Sequence, residues 1–130
     1  MDEKRITPED VAQALTENCV PFQEGRASTY VYFITDGEYV KIGKGFPNQR
    51  IRQMQTSNAR ELTALFTIPV SHGFGNKAET IIHHLFRDWL VRGEWYDLAD
   101  VINAEAFRER FGCECEVFGA ITDNERKEET

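Results

Sequence analysis

The stretch TYVYFITDGEYVKIGKG, residues 29–45, decides the fold. Two runs rich in β-branched and aromatic residues, TYVYFI and EYVKI, flank Asp36-Gly37, a dipeptide that favours a two-residue hairpin loop. With that loop, Ile34 faces Tyr39, Phe33 faces Val40, Tyr32 faces Lys41 and Val31 faces Ile42. Side chains alternate along a strand, so Val31, Phe33, Val40 and Ile42 share a core face while Tyr32 and Lys41 share the other. Directly opposed Cβ atoms stand about 4.5–5.5 Å apart. An ammonium at that distance favours the phenolate, so Lys41 is expected to pull the Tyr32 phenol below its ordinary value of about 10. Taken by themselves, the two residues read first as an ordinary pair covering a sheet.

The flanking segments add layers to this hairpin. TPEDVAQALTEN begins with Thr7 as N-cap, Pro8 at the first helical position and Asp10 three residues after the cap, with Val11, Ala12 and Leu15 on one face. PNQRIRQMQT reads as a short helix, and ELTALFTIPV as a third strand ended by Pro69. NKAETIIHHLFRDWLV reads as a longer helix, with Ala78, Ile81, Ile82, Leu85, Phe86 and Trp89 at helical spacing. LADVINAEAFRERFG is a last helix stopped by Gly112. The order α-β-β-α-β-α-α predicts an α+β fold, a small, mainly antiparallel three-stranded sheet flanked by helices. Residues 1–27 form an N-terminal helix and lead-in, 28–112 the central domain, and 113–130 an extension whose tail, TDNERKEET, is disordered by composition.

At 130 residues, 41% hydrophobic and 28% charged, the chain is about one domain with enough core to fold without staples. Cys19, Cys113 and Cys115 are odd in number and form no CxxC pair, which fits reduced thiols in the cytoplasm. No apolar run approaches the roughly 18 residues of a membrane span, so an intracellular protein without a membrane partner is expected. The net charge of -7 hides an uneven distribution. From Tyr39 to Arg60 the chain carries Lys41, Lys44, Arg50, Arg52 and Arg60 and no acidic residue, whereas residues 1–24 sum to -4 and 97–130 to -6. A basic island in an acidic chain is a candidate anion site. The acidic ends also offer a surface for a basic protein partner, the basis of a third and last reading in which the chain is an interaction or inhibitor protein.

Chemistry-bearing residues cluster around the hairpin. KIGKG ends the second strand in a turn open to close backbone approach, and Arg50 heads the next helix. Glu79 and His83 lie four apart on one flank of the long helix, where a carboxylate beside an imidazole can hold a hard divalent cation through waters, Mg²⁺ being the natural choice. His72 and His84 read as exposed. Trp95, soon after that helix, is expected to fold back over Ile82, Phe86 and Trp89; the competing role for Trp95 or Tyr96 is stacking on an unpaired base.

VYFI, then VKIGKG, an arginine at the head of the next helix, AETIIHHLF and RGEWYDL together resemble the GIY-YIG nuclease superfamily, in the KIG-type branch common in phage and bacterial proteins. The likeness covers residues 30–98. Tyr32 matches the tyrosine of the first motif half, Lys41 the second-half tyrosine position, Gly43 its glycine, Arg50 the helix arginine and Glu79 the metal-binding glutamate; His83, Phe86 and GEWY match the branch's continuation. The first-half glycine is absent, Met54 stands where some members have histidine, and no asparagine completes the metal site. The resemblance implies a DNA endonuclease, a hydrolase of phosphodiester bonds that uses one Mg²⁺ or Mn²⁺. In that scheme Tyr32 is general base or relay, Lys41 lowers its pKa, Arg50 stabilises phosphate charge, Glu79 anchors the metal and His83 completes the catalytic set. Lys44, Arg52 and Arg60 would bind DNA backbone. With one such site per chain, double-strand cleavage requires a homodimer or two sequential nicks. The alternative is a catalytically weak or inactive DNA-binding module of the same fold.

Overall fold

A computed structural model describes residues 5–22 and 29–113, and the tail TDNERKEET lies outside the described residues. The expected hairpin forms from β1 (Thr29–Thr35) and β2 (Val40–Lys44), but its tight loop is Gly37-Glu38, one residue later than Asp36-Gly37. Asp36 closes the loop instead of occupying it. Its backbone N–H donates to the Tyr39 carbonyl at 3.2 Å, and its carboxylate accepts from the N–H groups of Glu38 and Tyr39 at 2.9 and 2.8 Å. Gly37 takes the positive φ, 101°, that the first loop position needs.

Moving the loop by one residue shifts the pairing by two. Tyr32 therefore faces Gly43, and Lys41 faces Ile34; the direct Tyr32–Lys41 opposition is corrected to a diagonal relation. Because the shift is even, every side chain keeps its expected face. Val31, Phe33, Val40 and Ile42 belong to the main core, while Tyr32 and Ile34 are buried in a second, smaller cluster on the other side.

The sheet has five antiparallel strands where three were expected, in the order β3-β1-β2-β5-β4. β3 (Thr63–Val70) pairs with β1 and runs one residue past Pro69. The added strands come from the end of the presumed long helix. α3 covers only Gly75–Leu85; Arg87–Trp89 is a 3₁₀ turn, and β4 (Leu90–Arg92) and β5 (Trp95–Tyr96) form a second hairpin around Gly93-Glu94. A spacing of three, as from Phe86 to Trp89, suits a 3₁₀ turn as well as an α-helix, and Leu90 and Val91 are exposed, so no burial of theirs requires the helix to continue.

α1 (Pro8–Glu17) carries the expected capping box, with Asp10 N–H donating to Thr7 Oγ1 at 3.1 Å and Thr7 N–H to Asp10 Oδ2 at 2.9 Å. α2 (Pro47–Gln55) covers the smaller cluster through Ile51 and Met54. α4 is shorter than expected, Ala104–Phe111, because Asn103 caps it by accepting from Ala106 N–H at 3.1 Å; Gly112 ends it as expected. α3 and α4 pack on the face where Phe33, Phe66, Phe86 and Phe107 meet, with ring centroids 4.2 Å apart for Phe33–Phe66 and 4.6 Å for Phe66–Phe107. α4 also covers the β3 edge. Leu65 is the extra residue of a bulge between β3 and β1, and its carbonyl accepts from Arg108 Nε and Nη2 at 3.1 and 2.8 Å. No helix among the described residues is long and apolar enough to cross a membrane.

Candidate functional site

Register explains the glycine of KIGKG. Tyr32 stands opposite Gly43, and its ring lies across that residue: a Cβ at position 43 would fall 2.5 Å from Tyr32 Cζ and closer still to the hydroxyl. Gly43 is therefore the gap through which a mostly buried tyrosine brings its hydroxyl over β2. What lies beyond is open, because β5 is only two residues long and pairs with Val40 and Lys41 alone. Glu94 of the second hairpin loop continues the contact by accepting from Ile42 N–H at 3.1 Å. α2 and α3 border the remaining space.

The result is an open cleft of about 390 Å³, lined by Tyr32, Lys41, Lys44, Arg50, Glu79 and Glu94. Gln53 and Met54 of α2 complete its wall, and Gln53 Oε1 accepts from Arg50 Nη1 at 3.4 Å. Five residues singled out in the sequence, Tyr32, Lys41, Lys44, Arg50 and Glu79, thus meet in one place although they come from β1, β2, α2 and α3. Three cations and two carboxylates face each other there, a charge pattern suited to a phosphate group together with a cation.

The electrostatics of Tyr32 differ from expectation. Burial pushes its phenol above the ordinary value; Arg50 pulls it down, Glu94 and Glu79 push it up again, and the net direction is up. Lys41 supplies no lowering. The shifted register takes it off the directly opposed position, and its ammonium is held by Glu94 Oε1 at 2.8 Å, with the Trp95 ring 5.9 Å away.

His83 does not line the cleft wall but stands behind Glu79, with Nε2 3.4 Å from Glu79 Oε2. Its Nδ1 makes a hydrogen bond with the Tyr96 hydroxyl, while Nε2 is buried and has no hydrogen-bond partner. Glu79, His83 and Glu94 each present one ligand atom, all within 4.8 Å of one another, and form a group among the described residues that could hold a metal ion. Burial, then Glu94 and Glu79, raise the Tyr96 phenol as well.

The other expected residues lie elsewhere. Arg52 is exposed on α2 outside the cleft lining. Arg60 is engaged with Glu38 Oε1 at 2.9 Å and Asp36 Oδ2 at 3.6 Å, tying the hairpin loop to the segment after α2. His72 and His84 are exposed, as expected. Trp95 does not fold over Ile82, Phe86 and Trp89; adjacent strand residues point to opposite faces, and Trp95 packs with Tyr32 and Ile34, leaving Tyr96 in the main core beside α3. Cys19 and Cys113 are free thiols, and Cys115 lies outside the described residues.

Sequence reading missed Glu94, and it weighed Tyr96 only for base stacking. Their signal is present, because Arg92-Gly93-Glu94-Trp95 repeats the Gly-Glu loop of Asp36-Gly37-Glu38-Tyr39, a glycine at the first position of a two-residue hairpin loop. Comparison with protein-family models, with curated proteins and with solved structures finds no match to this chain.

Proposed function

We propose that the protein is a divalent-metal-dependent endonuclease that hydrolyses DNA phosphodiester bonds, the activity implied by the GIY-YIG resemblance. The observation that carries this reading is the convergence of Tyr32, Lys41, Arg50 and Glu79 from four separate elements on one cleft. The donor set fits a divalent cation, since the Glu79 and Glu94 carboxylates face the same space. When bound, such an ion draws charge from the scissile phosphate and offsets that of the two carboxylates.

The chain's own groups divide the remaining work. Arg50, exposed at the cleft, donates to non-bridging phosphate oxygens and opposes the charge that grows on them in the transition state. Lys44 attracts the DNA backbone. Lys41, held by Glu94, orients that carboxylate. In the reaction a water oxygen bonds phosphorus as a phosphorus–oxygen ester bond breaks. The water's proton leaves through the Tyr32 hydroxyl, which passes its own to solvent, and the departing sugar oxygen takes up a proton. With its pKa raised, Tyr32 suits a relay better than a standing phenolate base.

One observation favours a second reading, a catalytically weak DNA-binding module: burial and two carboxylates oppose ionisation of the residue assigned to proton transfer. An assay of plasmid and branched DNA with Mg²⁺ or Mn²⁺ separates the two. Nicking by the wild type, reduced about 10²–10³-fold in Glu79→Gln with unchanged melting temperature, is expected. Salt-sensitive binding without cleavage in either protein would leave the module.

A further inference from the structure

Three features of the cleft's rim go beyond an anchoring carboxylate. His83 Nε2 is buried without a hydrogen-bond partner, a costly condition for a nitrogen that could otherwise face water. It stands 3.4 Å from Glu79 Oε2, and Glu94 brings a second carboxylate into the same group. Ligand atoms on one octahedral ion at about 2.1 Å stand about 3.0 Å apart when adjacent and about 4.2 Å apart when opposed. The observed 3.4 Å lies between these values, and the one ligand atom from each of the three residues lies within 4.8 Å of the other two.

Two of the three residues are also held from behind. The Tyr96 hydroxyl bonds His83 Nδ1, and Lys41 Nζ bonds Glu94 Oε1 at 2.8 Å. When Nδ1 carries the ring proton and donates it to the Tyr96 oxygen, the Nε2 lone pair is left for the side on which Glu79 stands, the arrangement by which outer groups orient metal ligands.

We infer that Glu79, His83 and Glu94 form a three-ligand site for a divalent first-row transition ion, with Mn²⁺ bound in preference to Mg²⁺, and that Tyr96 is its positioning residue. An imidazole nitrogen discriminates between the ions. Mg²⁺ takes oxygen ligands, keeps its waters and gains little from imidazole, whereas nitrogen affinity rises through the transition series. This deepens the proposed function, on whose cleft it rests, by naming the ion class and the full ligand set.

The test is binding of Mn²⁺ and Mg²⁺ to the intact, DNA-free protein by calorimetry, with pulsed electron paramagnetic resonance of bound Mn²⁺ to detect a directly coordinated nitrogen. The wild type is expected to bind Mn²⁺ at least about tenfold more tightly than Mg²⁺ and to show nitrogen coupling. His83→Ala should abolish the coupling and narrow the Mn²⁺ preference, and Glu94→Gln should weaken both ions. Tyr96→Phe, which keeps the ring, should weaken Mn²⁺ about tenfold while retaining the nitrogen signal.

Mn²⁺ bound without nitrogen coupling, coupling that survives in His83→Ala, or equal affinity for the two ions overturns the inference. The wild-type spectrum decides even if a variant fails to fold. DNA cleavage, measured separately, keeps the readings apart: cleavage without nitrogen coupling sinks this inference and leaves the nuclease, and nitrogen-coupled Mn²⁺ without cleavage does the reverse.

Discussion

On one face of the sheet, Phe33, Phe66, Phe86 and Phe107 meet in contacts that are wholly apolar, and α3 and α4 close over them. On the other, Tyr32 and Ile34 meet Leu62, Ala64 and the partly buried Ile51, Met54 and Trp95, and the cluster gives way to the cleft where Lys41, Arg50 and Glu94 stand. The phenylalanine cluster of the first face brings no polar side chain of its own and derives its stability from area removed from water, while at its border the Tyr96 hydroxyl is bonded to His83. The second gives up apolar area to hold charges near one another. Tyr32 belongs to both arrangements on that side, buried as a ring and presented as a hydroxyl over Gly43. Stability and chemistry can therefore be perturbed separately, with Tyr32 and Gly43 as a place where they touch.

The largest expected effect tests the apolar face. Phe66 is fully buried between Phe33 and Phe107, so Phe66→Ala should cost about 3–5 kcal/mol in urea unfolding, the range for emptying an aromatic site. Mn²⁺ affinity of the folded fraction should stay at the wild-type value. A selective loss of metal binding at unchanged stability would show that the two faces are not separable.

Arg50→Ala probes the other side. The side chain is exposed, so unfolding should change by less than about 0.5 kcal/mol, while the cleavage rate falls about 10²-fold with a smaller change in DNA affinity. Equal losses in rate and binding would make Arg50 a contact that only positions DNA.

Gly43→Ala sharpens the contact between the two arrangements. The new methyl collides with the Tyr32 ring, so the variant should lose about 1–3 kcal/mol by overpacking or expel the ring. In a Tyr32→Ala background the same substitution should cost less than about 0.5 kcal/mol, because the colliding group is gone. An equal cost in both backgrounds would place the requirement for glycine in the backbone and not in the tyrosine.

Much of this was legible in sequence for a physical reason. Alternation assigns faces, and faces survive an even shift, so the sequence puts Val31, Phe33, Val40 and Ile42 in the core even though the observed register differs by two from the expected one. The loop position was not legible, because Asp36 can occupy a tight loop or close it with its carboxylate, and the dipeptide looks the same in both cases. Tyr32, Lys41, Arg50 and Glu79 were found through types and spacing, and they line one cleft. Glu94 was hidden by a hairpin too short for its apolar residues to break the helical pattern that precedes it. Charge counting also misled. Arg60 added to a basic island along the chain, yet in the fold it is tied to Glu38, 22 residues away in sequence.

The smallest effect concerns the loop that set this register. The Asp36 carboxylate is pushed up by burial, but hydrogen bonds from the Tyr39 and Glu38 backbones and the nearby Arg60 charge outweigh that and hold its pKa below the ordinary value. A carboxyl whose folded pKa is depressed contributes stability in full above its unfolded value of about 4, and that contribution is lost as pH falls through the folded value. Asp36→Ala should therefore cost about 1 kcal/mol at neutral pH, as for the loss of a capping side chain. The gap between wild type and variant in urea unfolding should then close as the pH falls below about 4. If the gap stays constant into acid, the loop depends on backbone conformation, with Gly37 and not the carboxylate setting the position from which Tyr32 comes to face Gly43.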